Sequence, residues 1–101
     1  MDRHAAGTAS HVPPQFTAEE WSRIVKAMRL SPQQANIVGL IMQGRRDKQI
    51  AGELQLSAST VHTHLRTIFV RLDVQDRVEL VLRVFATARR PTDPSAILKI
   101  D

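Results

Sequence analysis

Cysteine is missing altogether from this chain of 101 residues. Its absence removes disulfide cross-links, a thiolate nucleophile and any cysteine-based zinc site, and it fits a reducing cytoplasm. Aromatic side chains are scarce, being Trp21 and three phenylalanines. Any core must therefore be built from Leu, Ile and Val. The N-terminus has no apolar stretch of the signal-peptide kind, and no uninterrupted apolar run approaches the roughly 20 residues that cross a bilayer. A glycine-rich phosphate loop, an internal repeat, a low-complexity tract and strand-like alternation are missing as well. No nucleophile has an evident base, and a small helical domain has little room for a pocket, so an enzyme is not expected. The expectation is one soluble, cytoplasmic, all-α domain without a membrane segment.

What is present is a normal supply of core-forming residues and an uneven charge. Hydrophobic residues make up 43% of the chain, which suffices for a core, and the length suits one domain of roughly 100 residues. The formal net charge is +4, with a sequence pI near 10.7. Residues 44–90 carry nine Lys/Arg against five Asp/Glu, a net of +4, while the remainder is balanced. Positive charge thus collects on one part of the chain, as phosphate neutralisation requires.

Local signals divide the chain. Residues 1–16 are small and polar with Pro13-Pro14, and are expected to form a flexible tail. Thr17-Ala18-Glu19-Glu20 is a capping-box pattern opening a helix over 17–29, with Trp21, Ile24, Val25 and Met28 on one stripe. Ser31-Pro32-Gln33-Gln34 restarts the chain with a cap, a proline at the first helical position and a reciprocal Gln. Ile37, Leu40 and Ile41 form its buried face, and Gly44 stops it. Asp47 is a plausible N-cap for a short helix ending at Leu54, with Ile50, Ala51 and Leu54 on one face. After the tight turn Gln55-Leu56-Ser57, a helix capped by Ser57 runs to about Leu72. Its core stripe is Val61, Leu65, Ile68 and Leu72. Asp76-Arg77-Val78-Glu79 opens a last helix to about Ala88, and Pro91 and Pro94 mark a C-terminal tail over 90–101.

Two short helices joined by a three- or four-residue turn, the second with a polar and basic outer face, form the architecture that places a recognition helix in the major groove. The matching residues are Leu30-Ser31-Pro32, Gly44, Lys48-Gln49-Ile50-Ala51, Leu54, Leu56-Ser57, Thr60-Val61, His64, Ile68, Arg71-Leu72, Val74, Arg77 and Leu80. In this ordered combination the chain resembles the C-terminal DNA-binding domain of the LuxR/GerE family of bacterial transcription regulators. The resemblance covers a little over half of the chain. It implies a four-helix domain over 30–89, with the helix at 17–29 as an addition. It also implies that the third helix of the four reads DNA and that the fourth often supports dimerisation. There are three departures. Gln34 and Asn36 stand where relatives usually have acids, so an ion pair made there is absent. Gln55 replaces the usual turn glycine, at about 1 kcal/mol if it must be left-handed. His62 occupies a position where many relatives carry Lys, so base preference does not transfer.

The outer face of the helix Ser57–Leu72 supplies the candidate site. Ser59, His62, Thr63, Arg66 and Thr67 lie on it. His62, Thr63 and Arg66 cluster at spacings of three and four, and the resemblance matches them to positions that approach bases. Arg donates a bidentate pair to guanine O6 and N7, while His and Thr bond base edges or phosphates. Lys48, Thr60, Thr67, Arg71 and Arg77 suit phosphate contacts, although Arg71 could equally be a surface residue paired with Asp73. A solvated helix face is the plain alternative for the whole stripe. His62 and His64 are two apart and point in different directions, so a metal site is not expected and a scaffold role suits His64. No cofactor is implied.

The expected function is a sequence-specific regulator of transcription that binds double-stranded DNA, with RNA polymerase as a second candidate partner. Members of the family usually carry a separate sensor, and the residues ahead of Leu30 cannot hold one. A stand-alone regulator or an effector domain is expected. A sigma region 4-like domain and a protein-interaction module with vestigial DNA binding are the alternatives. The last helix is apolar on more than one side. Val78, Val81, Leu82 and Phe85 are expected to cover the core, leaving Leu80, Val84 and Thr87 as a dimer surface. The added helix is the competing cover for that surplus.

Overall fold

The computed structural model describes residues 11–90, and their regular structure is entirely helical. The helices are α1 (Ala18–Met28), α2 (Pro32–Met42), α3 (Asp47–Leu54), α4 (Ala58–Leu72) and α5 (Arg77–Arg89). Their starts follow from local chemistry. Thr17 Oγ1 accepts from the Glu20 N–H and the Glu20 carboxylate accepts from the Thr17 N–H, a reciprocal pair repeated between Ser31 and Gln34. Ser57 Oγ accepts from the Thr60 N–H at 3.0 Å to open α4.

The α3 start differs from expectation. Arg46 takes the N-cap position, its N–H donating to Gln49 Oε1 at 2.8 Å, and Asp47 is the first helical residue. Its carboxylate is thereby free to bond elsewhere. At α5, Asp76 Oδ1 caps the Glu79 N–H, but the Glu79 carboxylate returns to the N–H of Gln75 and not to that of Asp76.

The ends of α1 to α4 share one device, whereas α5 runs into extended backbone at Arg90. Arg29, Gln55 and Asp73 adopt left-handed backbone with φ of 56–57°, and Gly44 does so at 81°. In each case the next N–H reaches back to a carbonyl of the last turn, as in Leu30→Val25, Leu56→Ala51 and Val74→Phe69. Leu30, Leu56 and Val74, the residues after the reversal, turn into or against the core. Gln55 thus takes the left-handed form at the α3–α4 turn, with the strain expected of a residue carrying a Cβ.

Helix α2 lies at the centre, packed against α3, α4 and α5 and buried on almost every side from Gln34 to Met42. Val61, Leu65 and Ile68 of α4 close onto it, each contributing about 1.5–3 kcal/mol by leaving water. Helix α1 packs against α5, with Trp21, Ile24 and Met28 buried.

Two expectations are corrected here. Residues 11–16, expected as part of a flexible tail, are packed on the domain. Pro13 is fully buried, Phe16 stacks on Trp21 with ring centroids 6.1 Å apart and meets Phe85 at 5.6 Å, and Gln15 Nε2 donates to the Met42 carbonyl at 3.1 Å. The backbone of His11 crosses α2 at Gly39, where a Cβ would collide with the His11 carbonyl oxygen. The remaining parts of the expected tails 1–16 and 90–101, residues 1–10 and 91–101, lie outside the described residues.

The second correction is the orientation of α5. Leu80 and Val84, assigned to a dimer surface, are 0% exposed and sit in the core. Val78 and Leu82, assigned to the core, are 66% and 61% exposed, while Val81 and Phe85 are partly buried against it. Thr87 is half-buried, and its hydroxyl donates to the Arg83 carbonyl at 2.8 Å. The two apolar stripes are thus exchanged, because α1 and α2 together hold the side of α5 that carries Leu80 and Val84.

Candidate nucleic-acid interface

Helix α4 separates its two faces cleanly. The inward stripe of Val61, Leu65 and Ile68 pins it to the core, so Ser59, His62, Thr63, Arg66 and Thr67 form one exposed stripe. Val70, 80% exposed, extends that stripe at its C-terminal end. Its position three residues beyond Thr67 and four beyond Arg66 follows the same period, yet it was not among the expected site residues. His64, expected in a scaffold role, is half-buried between the exposed stripe and the core stripe.

The polar groups of the stripe differ in what they have left to offer. The Thr63 hydroxyl donates to the Ser59 carbonyl at 3.0 Å and the Thr67 hydroxyl to the Thr63 carbonyl at 3.1 Å. Both oxygens can still accept, but each hydroxyl must turn from its own helix before it can donate to a phosphate. Thr60 is half-buried, with its hydroxyl 2.9 Å from Ser57 Oγ. Arg66 on α4 and Lys48 in the first turn of α3 are exposed and form no ion pair with another described residue. Of the four Lys and Arg side chains expected at DNA, these two have no hydrogen bond or ion pair to another described residue.

Arg71 and Arg77, both expected at phosphates, point into intramolecular contacts. Arg71 Nη2 donates to the Met28 carbonyl at 3.3 Å and to Gln34 Oε1 at 3.5 Å, tying the end of α4 to the end of α1 and to α2. Arg77 Nη1 donates to the Arg45 carbonyl at 3.0 Å while Nη2 bonds Asp47 Oδ1. These bonds cross 30 or more positions of sequence, so no local pattern discloses them. The other Asp47 oxygen, Oδ2, lies 3.1 Å from His62 Nε2. Asp47, expected only as a helix cap, therefore stands beside the exposed stripe. Its side chain and those of His62 and Arg77 are all partly in water, so the pairs are worth about 0–1 kcal/mol each and orient more than they stabilise.

Two other surface features stand apart from the stripe. Val78 and Leu82 are one helical turn apart on the outer side of α5 and form an apolar strip. A groove of about 550 Å³ runs between α1 and the end of α5, with Phe16, Ile24, Ala27 and Ala88 among its lining residues. Of the expected site residues only Thr87 lines it, and none of those expected at DNA does. Among the described residues no three His, Asp or Glu side chains are grouped to hold a metal ion, and no helix is long and apolar enough to cross a membrane.

A short helix, a three-residue turn and a capped second helix with an exposed polar and basic stripe define a helix–turn–helix domain. The chain belongs to the family described as bacterial regulatory proteins, luxR family, whose sequence model matches residues 28–84. It is 43% identical over 63 residues to the monoamine regulon transcriptional regulator of Klebsiella aerogenes, covering 62% of this chain and 28% of that protein. It is 36% identical over 86 residues to the HTH-type transcriptional regulator MalT of Serratia proteamaculans, covering 80% of this chain and 10% of that one. With MalT of Klebsiella pneumoniae the identity is 34% over 62 residues, or 61% of this chain and 7% of the relative. The chain thus spans less than a third of the length of the curated relatives it matches. No solved structure matches it. The matched span leaves out α1 up to Ala27 and the end of α5, so the groove is built from residues outside it.

Proposed function

We propose that the chain is a sequence-specific, DNA-binding regulator of transcription in which α4 enters the major groove of double-stranded DNA. The observation that carries this reading is the exposed stripe Ser59, His62, Thr63, Arg66 and Thr67, held outward by a fully packed inner stripe. A helix of this kind brings its outer side chains to base edges, and Arg66 is the residue suited to a guanine O6/N7 pair. Lys48 and the N-terminus of α4 suit phosphates, which fix register without reading sequence. The relatives support the regulatory part of the reading, being named as transcriptional regulators.

Dimerisation through α5 belongs to the same proposal, with its surface moved to Val78 and Leu82. Apolar side chains this exposed, one turn apart on a helix otherwise fixed to the core, suit the same strip on a second copy. Two copies related in this way would set their α4 helices about one DNA turn, roughly 34 Å, apart and so require a palindromic site.

The test is duplex binding across a salt series, followed with a fluorescent DNA. Affinity for random duplex should fall steeply and linearly on a log–log plot as salt rises. An affinity that is flat in salt, or no binding in dilute salt, rejects the reading.

A further inference from the structure

We infer that Asp47, which need touch no base, is the positioning residue that sets how His62 reads DNA. The inference rests on the reading in which α4 enters the groove. The His62 side chain is 67% exposed and turns about two torsions, so nothing on α4 itself fixes which ring edge faces outward. A neighbour from α3 does. Asp47 Oδ2 lies 3.1 Å from His62 Nε2, which draws that nitrogen to the α3 side.

The carboxylate is itself held. Its second oxygen bonds Arg77 Nη2 from α5, and the same guanidinium donates through Nη1 to the Arg45 carbonyl at 3.0 Å in the loop before α3. Asp47 is thus fixed by α5 and by the α2–α3 connection before it meets the ring. With Nε2 facing Asp47, the nitrogen left for DNA is Nδ1.

That choice has a chemical consequence. In the neutral ring a carboxylate favours the tautomer with hydrogen on Nε2, leaving Nδ1 as an acceptor. An acceptor there suits the exocyclic amine of adenine or cytosine in the major groove. The arrangement also accounts for an acidic group beside a surface meant for phosphates. Between Arg77 and His62 its charge faces two donors, and it repels DNA less than a free carboxylate would.

The experiment is selection of binding sites from random duplex DNA with the full 101-residue chain, using the parent, Asp47→Ala, Asp47→Asn, His62→Ala and the Asp47→Ala/His62→Ala pair. His62→Ala should flatten the preference at one base pair of each half-site. Asp47→Ala should lower discrimination at that same base pair by about 3- to 10-fold, and the double variant should match His62→Ala alone. Asp47→Asn keeps an oxygen for Arg77 but turns an amide N–H towards the ring. The His62 tautomer reverses, and the preference at that base pair should move towards guanine or thymine. Affinity of Asp47→Ala for random duplex should hold or rise, since an acidic group has gone from the interface. A uniform loss at all positions, which a purely structural role would produce, overturns the proposal, as does an unchanged preference at the His62 base pair. In both of those cases α4 still reads DNA. If the parent itself selects no sequence, the reading of α4 fails and the role of Asp47 falls with it.

Discussion

Helices α4 and α5 bury similar aliphatic stripes in the same core and offer opposite chemistry to the outside. Outward, α4 presents hydroxyls, an imidazole and a guanidinium with Val70 at their end, while α5 presents the apolar pair Val78 and Leu82 beside Glu79 and Arg83. Burial makes both helices part of the fold, so the difference between them lies in the exposed half alone. A polar, cationic stripe suits the phosphates and base edges of a nucleic acid. An apolar strip suits a protein surface, and with two-fold symmetry it suits itself. One small domain can thus devote one helix to DNA and another to a second copy, provided the core keeps both orientations fixed.

The largest expected effect attacks that fixing. Leu80→Ala removes a fully buried side chain from α5 and should cost about 2–5 kcal/mol in urea unfolding, whereas Leu82→Ala should change stability by less than about 0.5 kcal/mol. Equal effects at the two positions would mean that α5 is rotated from its described orientation. Next comes Arg66→Ala, which should cost about 1–3 kcal/mol on the preferred site and much less on random duplex. Equal losses on both would assign Arg66 to the backbone.

The α5 surface is probed by Val78→Glu and Leu82→Glu. Each should leave the unfolding free energy nearly unchanged, yet weaken cooperative occupancy of a full site relative to a half site. Sedimentation and titration would show it, and retained cooperativity in both would remove α5 as the dimer surface. The smallest effect concerns the turn that joins α3 to α4. Gln55→Gly relieves a left-handed residue at φ 57° and should raise stability by up to about 1 kcal/mol, with DNA affinity unchanged.

The same pair of helices explains how much was legible in the residues alone. The caps at Thr17, Ser31 and Ser57 depend on partners three positions away, so pattern and structure coincide. The outer stripe of α4 was legible because polar and apolar residues separate on that helix. On α5 between Val78 and Phe85, only Glu79 and Arg83, one turn apart and both exposed, mark the outer side. That polar face is too narrow to separate Val78 and Leu82 from Leu80, Val81, Val84 and Phe85, and the packing of α1 and α2 decides the phase. Tertiary bonds were hidden for a related reason. Arg71 and Arg77 look like surface cations until the Met28 and Arg45 carbonyls are brought beside them. The docking of residues 11–16 had only indirect signs. One was Gly39 within an otherwise large-residue, buried helix, where the bare backbone admits the His11 carbonyl.

The division of labour between α4 and α5 is tested most directly by the sequence that the protein itself selects from random duplex DNA. The account predicts a two-fold symmetric consensus with half-site centres about one helical turn, 10–10.5 base pairs, apart and preferences that Arg66→Ala weakens in both halves. Enrichment of no sequence over the random pool, by a protein shown to be folded, would contradict it.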